Sequence, residues 1–195
     1  MPITLLFDTE TTGFPRKPFK TQPDDVQPYI TQIHADLVEH EPDGSAHEVI
    51  ATLSTYVSGA KFVPKRITEL TGVTMEKLHG QPSWKEVRGE FIGMSQKASW
   101  TSAHNIRFDS DMVKLEEHRN GFSDEDAFKD IVARCTLTMS RKTNKQFRSH
   151  GLGNLYESLF GEKLVGAHTA DADSMALTRI YMDLLQKGCW APKTL

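Results

Sequence analysis

The chain has 195 residues, 38% hydrophobic and 25% charged, with a formal net charge of −3 at pH 7, which predicts one soluble domain spanning 1–195 with a good core. That charge gives no overall basic field of the kind that advertises nucleic acid, although a local basic patch suffices for a small footprint. Cys135 and Cys189 have neither metal-type spacing nor a disulfide framework, no apolar run approaches the roughly 18 residues that span a bilayer, and Asp8 comes too early for a signal peptide, so a cytoplasmic location is expected.

Residues 2–7 read as a buried strand that runs straight into Asp8-Thr9-Glu10-Thr11-Thr12-Gly13. Residues i and i+2 of a strand point to one face, so Asp8 and Glu10 project side by side. Two close carboxylates repel unless something positive sits between them, and a hard divalent cation is the simplest partner. A polar strand end entering a Thr/Gly turn also explains Asp-x-Glu taken alone. Residues 14–28 contain Pro15, Pro18 and Pro23 before Pro28 and several charges, hence a loop. Tyr29 to Glu39 and Val49 to Val57 alternate apolar and polar around the turn Glu41-Pro42-Asp43-Gly44. The first three strands are therefore expected to pair antiparallel.

The pattern then changes. Pro64 opens a short helix through Leu70, ended by Thr71-Gly72, and Ser83-Trp84-Lys85-Glu86 is a capping box for a helix to about Lys97. Ala98 to Ala103 reads as a strand, Phe108 to Gly121 as a helix, Asp130 to Ala133 as a strand and Thr136 to Arg141 as a helix. Lys142 to His150 is polar and reads as a mobile loop. Its basic residues Lys142, Lys145 and Arg148, with Arg141 just before them and Phe147 and His150 as stacking groups, form the best local patch for nucleic acid; a solvated loop is the alternative. Helices at Leu152 to Phe160 and Ala170 to Gln186 and a short tail complete the chain. The fold expected is α/β, a mixed five-stranded sheet, three antiparallel strands first and then parallel strands, flanked by helices.

Two more acidic points lie at junctions into helices. Asp109 follows Ala103-His104-Asn105-Ile106-Arg107-Phe108, in the first turn of its helix, where the helix dipole alone would account for it. Gly166-Ala167-His168-Thr169-Ala170-Asp171-Ala172-Asp173 begins the last helix. Asp171 and Asp173 lie about 200° apart, so only one faces any site, and spacing does not decide which. Four carboxylates converging on one edge would repel strongly without cations, whereas two divalent ions roughly 3.5–4 Å apart would satisfy them. A neutral His168 is suited to take a proton from an attacking water.

Phe7-Asp8-Thr9-Glu10-Thr11-Thr12-Gly13, His104-Asn105-Ile106-Arg107-Phe108-Asp109 and His168-Thr169-Ala170-Asp171-Ala172-Asp173 resemble, in order and spacing, the three motifs of the DEDDh 3′–5′ exonuclease family. The segment Ile67-Thr68-Glu69-Leu70-Thr71-Gly72-Val73-Thr74 resembles that family's connecting region. The resemblance covers about residues 3–186. It implies a ribonuclease H-like fold and hydrolysis at the 3′ ends of single-stranded nucleic acid, releasing nucleoside 5′-monophosphates with two Mg²⁺ or Mn²⁺ ions. It makes Asp8, Glu10, Asp109 and Asp173 the metal-binding carboxylates and His168 the general base. Phe14 matches an apolar residue that wedges between the last two bases, and Thr11, Asn105 and Phe108 fall near the terminal nucleotide. Asp171 matches no family ligand. The form Asp-Thr-Glu-Thr-Thr-Gly resembles the proofreading members, which favours DNA; an RNA-trimming enzyme is the alternative, and a non-catalytic end-binding or polymerase accessory subunit is a reading of another class. A polymerase or a second copy of the chain is the candidate protein partner, with the 14–28 loop and the tail as candidate contacts.

Overall fold

Strand β1 (Ile3–Thr11) alternates between two cores. Leu5 and Phe7 face one side, where Phe7 packs edge-on to Phe91 at 5.5 Å and lies 5.7 Å from Phe128. Leu6 faces the other, against Leu177 and Tyr181. All three strand residues are fully buried, and each contributes about 2 kcal/mol by leaving water. The strand is thereby fixed in register just before its acidic end.

The computed structural model describes residues 1–17, 23, 26–123, 126–167, 169–189 and 192–193. Strands β2 (Ile30–His40) and β3 (His47–Tyr56) pair antiparallel with β1 and with each other, as the alternation and the tight turn require. Strands β4 (Trp100–Ala103) and β5 (Val132–Cys135) follow in parallel, giving the sheet order β3-β2-β1-β4-β5. A sixth, two-residue strand β6 (Pro192–Lys193) lies antiparallel on β5, where the sequence suggested only a tail. Helices α1 (Lys65–Thr71), α2 (Met75–Leu78), α3 (Trp84–Lys97), α4 (Ile106–Arg119), α5 (Thr136–Thr143), α6 (Leu152–Phe160) and α7 (Ala170–Gln186) complete the described elements, with one 3-10 turn at Asp126–Phe128. α3 and α4 supply residues to the core on the Phe7 side; α5, α6 and α7 supply the core on the Leu6 side. No helix among the described residues is long and apolar enough to cross a membrane.

Three departures from the sequence reading have clear local causes. β5 begins two residues late because Asp130 takes φ 59°, which cannot extend a ladder, and pairing with β4 starts at Val132. α4 begins two residues early because Asn105 turns the chain in the left-handed region, φ 68° and ψ 48°, which asparagine tolerates better than most residues. α2 has only four residues, too few to show a helical period; Thr74 caps it by accepting from the Lys77 amide at 3.2 Å.

Candidate active site

Parallel pairing of β1 with β4 brings both C-terminal ends to the same edge of the sheet. β4 ends at Ala103, level with the start of the acidic stretch of β1. The Asn105 turn then feeds α4 back across that edge. Asp109, in the first turn of α4, consequently meets β1. One of its oxygens accepts from the Thr9 amide at 3.1 Å and from the Thr9 hydroxyl at 2.8 Å. Asp109 is buried, only 2% exposed, so these two bonds fix its carboxylate.

The third element is the N-terminus of α7. Thr169 caps it, and its hydroxyl accepts from the Ala172 amide at 3.4 Å. Asp173 is the residue that turns inward: carboxylate oxygens of Asp8, Glu10 and Asp173 lie within 4.8 Å of one another. Asp171 turns the other way. It accepts from Ser54 of β3 at 2.7 Å and contacts His34 of β2 at 2.9 Å. The ambiguity left by helical spacing is thus resolved in favour of Asp173. His168 lies outside the described residues.

His34 had no place in the sequence reading. It sits directly across from Asp8 in the β1–β2 register and across from Ser54 in the β2–β3 register. Its Nε2 lies 3.1 Å from Asp36, two residues on and on the same face. Asp36 also accepts from Thr52 at 2.6 Å and from Ser174 of α7 at 2.9 Å. Burial pulls the His34 pKa down, but the Asp36 and Asp171 carboxylates outweigh it and the net shift is upward. The same contacts hold Asp36 below its ordinary value despite burial. The network ties the first turn of α7 to β2 and β3, and so holds Asp173 against β1. Asp36→Ala is expected to cost about 3 kcal/mol, because it strands a buried histidine. Asp171→Ala is expected to cost about 1 kcal/mol or less, its carboxylate being 73% exposed. Urea unfolding of the two variants measures the difference.

The electrostatics of the carboxylate group are unfavourable as they stand. Burial first, then the charges of Asp109 and Asp173, push Asp8 well above the carboxylate range. Burial and then Asp8 and Asp173 raise Glu10 to about 8. Burial raises Asp109 to about 7, with a contribution from Glu10, even though the Thr9 bonds pull it down. Such mutual repulsion is what a divalent cation with a preference for oxygen would relieve. The donor set, all carboxylate with no thiol or amine among the three converging side chains, fits Mg²⁺ or Mn²⁺.

The remaining sequence candidates divide. Phe14 is 81% exposed and its ring stands edge-on to Phe108 at 5.4 Å, beside Asp109. Asn105 is exposed at the same edge, and the Thr11 hydroxyl donates to Gly13 O at 2.8 Å, shaping the turn. The basic loop is corrected in part. Arg141, Lys142, Lys145 and Arg148 are exposed, but Phe147 packs against the Leu6-side core. His150 is held by Ser140 at 2.7 Å, and its carbonyl bonds His104 at 2.8 Å. Both rings are half-buried and already have partners within the protein.

A mixed sheet of this topology, with carboxylates from β1, α4 and α7 gathered at its parallel edge, has the ribonuclease H-like nuclease fold. The chain belongs to the exonuclease family: the family model RNase_T, described as exonuclease, matches residues 5–181. It is 28% identical over 184 residues to the 3′–5′ exonuclease DinG of Bacillus subtilis strain 168, covering 94% of this chain and 18% of that protein. It is 29% identical over 140 residues to DNA polymerase III subunit epsilon of Aquifex aeolicus strain VF5, covering 69% of this chain and 63% of that one. The nuclease domain of 3′hExo, a DEDDh family member bound to rAMP, shares the fold with a TM-score of 0.76 at 17% identity, over 98% of this chain and 96% of that one. The chain therefore spans less than two thirds of the length of either sequence relative.

Proposed function

We propose that this chain is a 3′–5′ exonuclease that removes nucleotides from single-stranded ends, with DNA favoured, in a reducing compartment such as the cytoplasm. The observation that carries the reading is the convergence of Asp8, Glu10 and Asp173, with Asp109 fixed beside them, at the edge where Phe14 and Asn105 are exposed. Two Mg²⁺ or Mn²⁺ ions held by Asp8, Glu10, Asp109 and Asp173 would supply stabilisation of the attacking and leaving oxygens. The side chains do the rest. His168 takes the proton of the attacking water as its oxygen bonds to phosphorus. The bond from phosphorus to the O3′ of the preceding nucleotide breaks, that oxygen takes a proton from solvent water to become the new 3′ hydroxyl, and a nucleoside 5′-monophosphate leaves. Phe14 sits against the last bases, while Asn105 and the backbone at Thr11 border the terminal nucleotide. The DNA lean rests on the Asp-Thr-Glu-Thr-Thr-Gly turn and on the kinship with a DNA polymerase III subunit, which also makes a polymerase the proposed protein partner.

The test uses matched single-stranded DNA and RNA oligonucleotides labelled at either end, with Mg²⁺ or Mn²⁺. A 3′ label is expected to leave as a mononucleotide in the first turnovers, while a 5′ label shortens stepwise. Faster turnover of RNA than of DNA would reverse the substrate preference. Release of mononucleotide from the 5′ end, or no hydrolysis with either metal, would sink the activity itself.

A further inference from the structure

Beside the carboxylate edge runs a groove of about 440 Å³ whose walls are the two ends of the 14–28 loop and the 57–64 segment. Phe14, Arg16, Val26, Tyr29, Lys61 and Phe62 line it. Phe14 is 81% exposed, Phe62 64% and Val26 38%, so three of the large apolar side chains left in solvent open on one feature. Arg16 and Lys61 are exposed too, and among the described residues neither makes an ion pair. No aspartate or glutamate is among the described residues lining the groove, in a protein of net charge −3.

The walls are fixed. Gln27 accepts from the Arg16 amide at 2.9 Å and donates to the Arg16 carbonyl at 2.7 Å, which clasps the ends of the loop together. The Thr12 amide donates to Tyr29 O at 2.9 Å. Opposite, the amides of Val57 and Ser58 donate to Thr31 O and Pro82 O, both at 2.9 Å, and Ala60 and Val63 pack against Val73 and Leu78. Tyr29 is already engaged, with the Arg119 guanidinium 3.8 Å over its ring. Phe14 and Phe62 are therefore the stacking faces left open, on a scaffold that pays little to order itself on binding. The groove is continuous with the active edge through Phe14, which rests on Phe108 next to Asp109.

Open aromatic faces beside cations, with no acid among the described residues that line the groove, match the backbone and bases of a single strand. We propose that this groove holds the nucleotides upstream of the scissile bond, with Phe62 stacking on a base inside the strand and Arg16 and Lys61 facing the phosphates between it and the base at Phe14. The proposal rests on the 3′–5′ exonuclease reading of the site and adds a strand path to it.

The experiment compares wild type, Phe62→Ala, Phe62→Trp and Lys61→Glu on oligo-dT of about 12 nucleotides and on the dinucleotide. Binding is read by fluorescence anisotropy with Ca²⁺ in place of Mg²⁺, and turnover with Mg²⁺. Phe62→Ala is expected to weaken binding of the long strand and raise its KM about ten-fold, as loss of one stacked base does, with kcat unchanged and the loss shrinking toward none as the substrate shortens. Phe62→Trp restores binding, and Lys61→Glu flattens the salt dependence of long-strand binding. Equal losses on both lengths overturn the proposal. So does unchanged long-strand binding in Phe62→Ala, which would assign the groove to a protein partner. Failure of the wild type to hydrolyse either strand overturns the activity instead, and the anisotropy then judges the groove alone.

Discussion

Asp8→Asn and Asp173→Asn are expected to reduce hydrolysis on the order of 10³-fold or more while leaving the fold intact. Each removes one charged donor from a group whose oxygens lie within 4.8 Å of one another, and cation stabilisation of the reacting oxygens is worth several kcal/mol. The same change acts oppositely on stability. Asp8 is raised far above its ordinary pKa by burial and by Asp109 and Asp173, so its ionised form costs free energy in the cation-free protein. Asp8→Asn therefore removes a repulsive charge without changing shape, and the cation-free variant is expected to melt higher than the wild type at pH 8. His168→Ala separates chemistry from metal binding. It is expected to lower the rate by roughly 10²–10⁴-fold, the usual contribution of a general base, with Mn²⁺ affinity unchanged by calorimetry. Initial rates on a 3′-labelled oligonucleotide, together with melts in chelator, measure all three variants. Activity of Asp8→Asn or Asp173→Asn within ten-fold of wild type would remove the carboxylates from the mechanism, and weakened Mn²⁺ binding in His168→Ala would move that histidine into the ligand set.

Much of this site was legible because local rules dictate it. Period-two geometry alone puts Asp8 and Glu10 on one face, and the alternation of Leu5, Leu6 and Phe7 between two cores confirms which side of β1 is which. The turn at Asn105 and the first-turn position of Asp109 could likewise be read from a polar cluster between a short strand and a helical pattern. What could not be read depends on register between distant strands. His34 sits within an ordinary alternating strand, and nothing in its neighbours announces it. Only the pairing of Asp8 with His34, and of His34 with Ser54, sets it beside the acidic group. The choice of Asp173 over Asp171 has the same origin. Both are compatible with the helix, and His34 and Ser54 decide which one turns away. Phe147 and His150 mislead in the opposite direction. A polar, basic stretch looks like a solvated loop, but two aromatic rings within it find partners in the core and on α5, which composition does not show.

The cation-free protein is expected to lose stability as pH rises between about 5 and 8, and a divalent ion is expected to restore it. Glu10 titrates near 4.5 in an unfolded chain and at about 8 in the fold, and Asp109 moves from 3.8 to about 7. Between those values the folded state binds more protons than the unfolded state, so the free energy of unfolding falls with pH. His34, raised by Asp36 and Asp171, works in the same direction at the upper end of the window, because its charged form is favoured in the fold and is lost as pH rises. Asp36, lowered by its contacts, acts only at more acid pH, where its protonation removes stability. The melting temperature in chelator is therefore expected to drop on the order of 10 °C or more from pH 5 to pH 8, given about 2–4 °C per kcal/mol for a chain of this size. Mg²⁺ or Mn²⁺ competes with those protons. Adding either is expected to raise the melting temperature more at pH 8 than at pH 5 and to release protons on binding. Thermal melts across pH with and without the ion, and calorimetry in buffers of different ionisation enthalpy, measure both effects. A melting temperature that rises with pH in chelator would mean that the carboxylates are not repelling one another, and the physical case for a cation between them would go with it. Asp8→Asn provides the internal control. If the slope comes from this cluster, removing the Asp8 charge flattens the pH dependence and reduces the cation's effect together, whereas a slope arising elsewhere in the protein would survive the substitution.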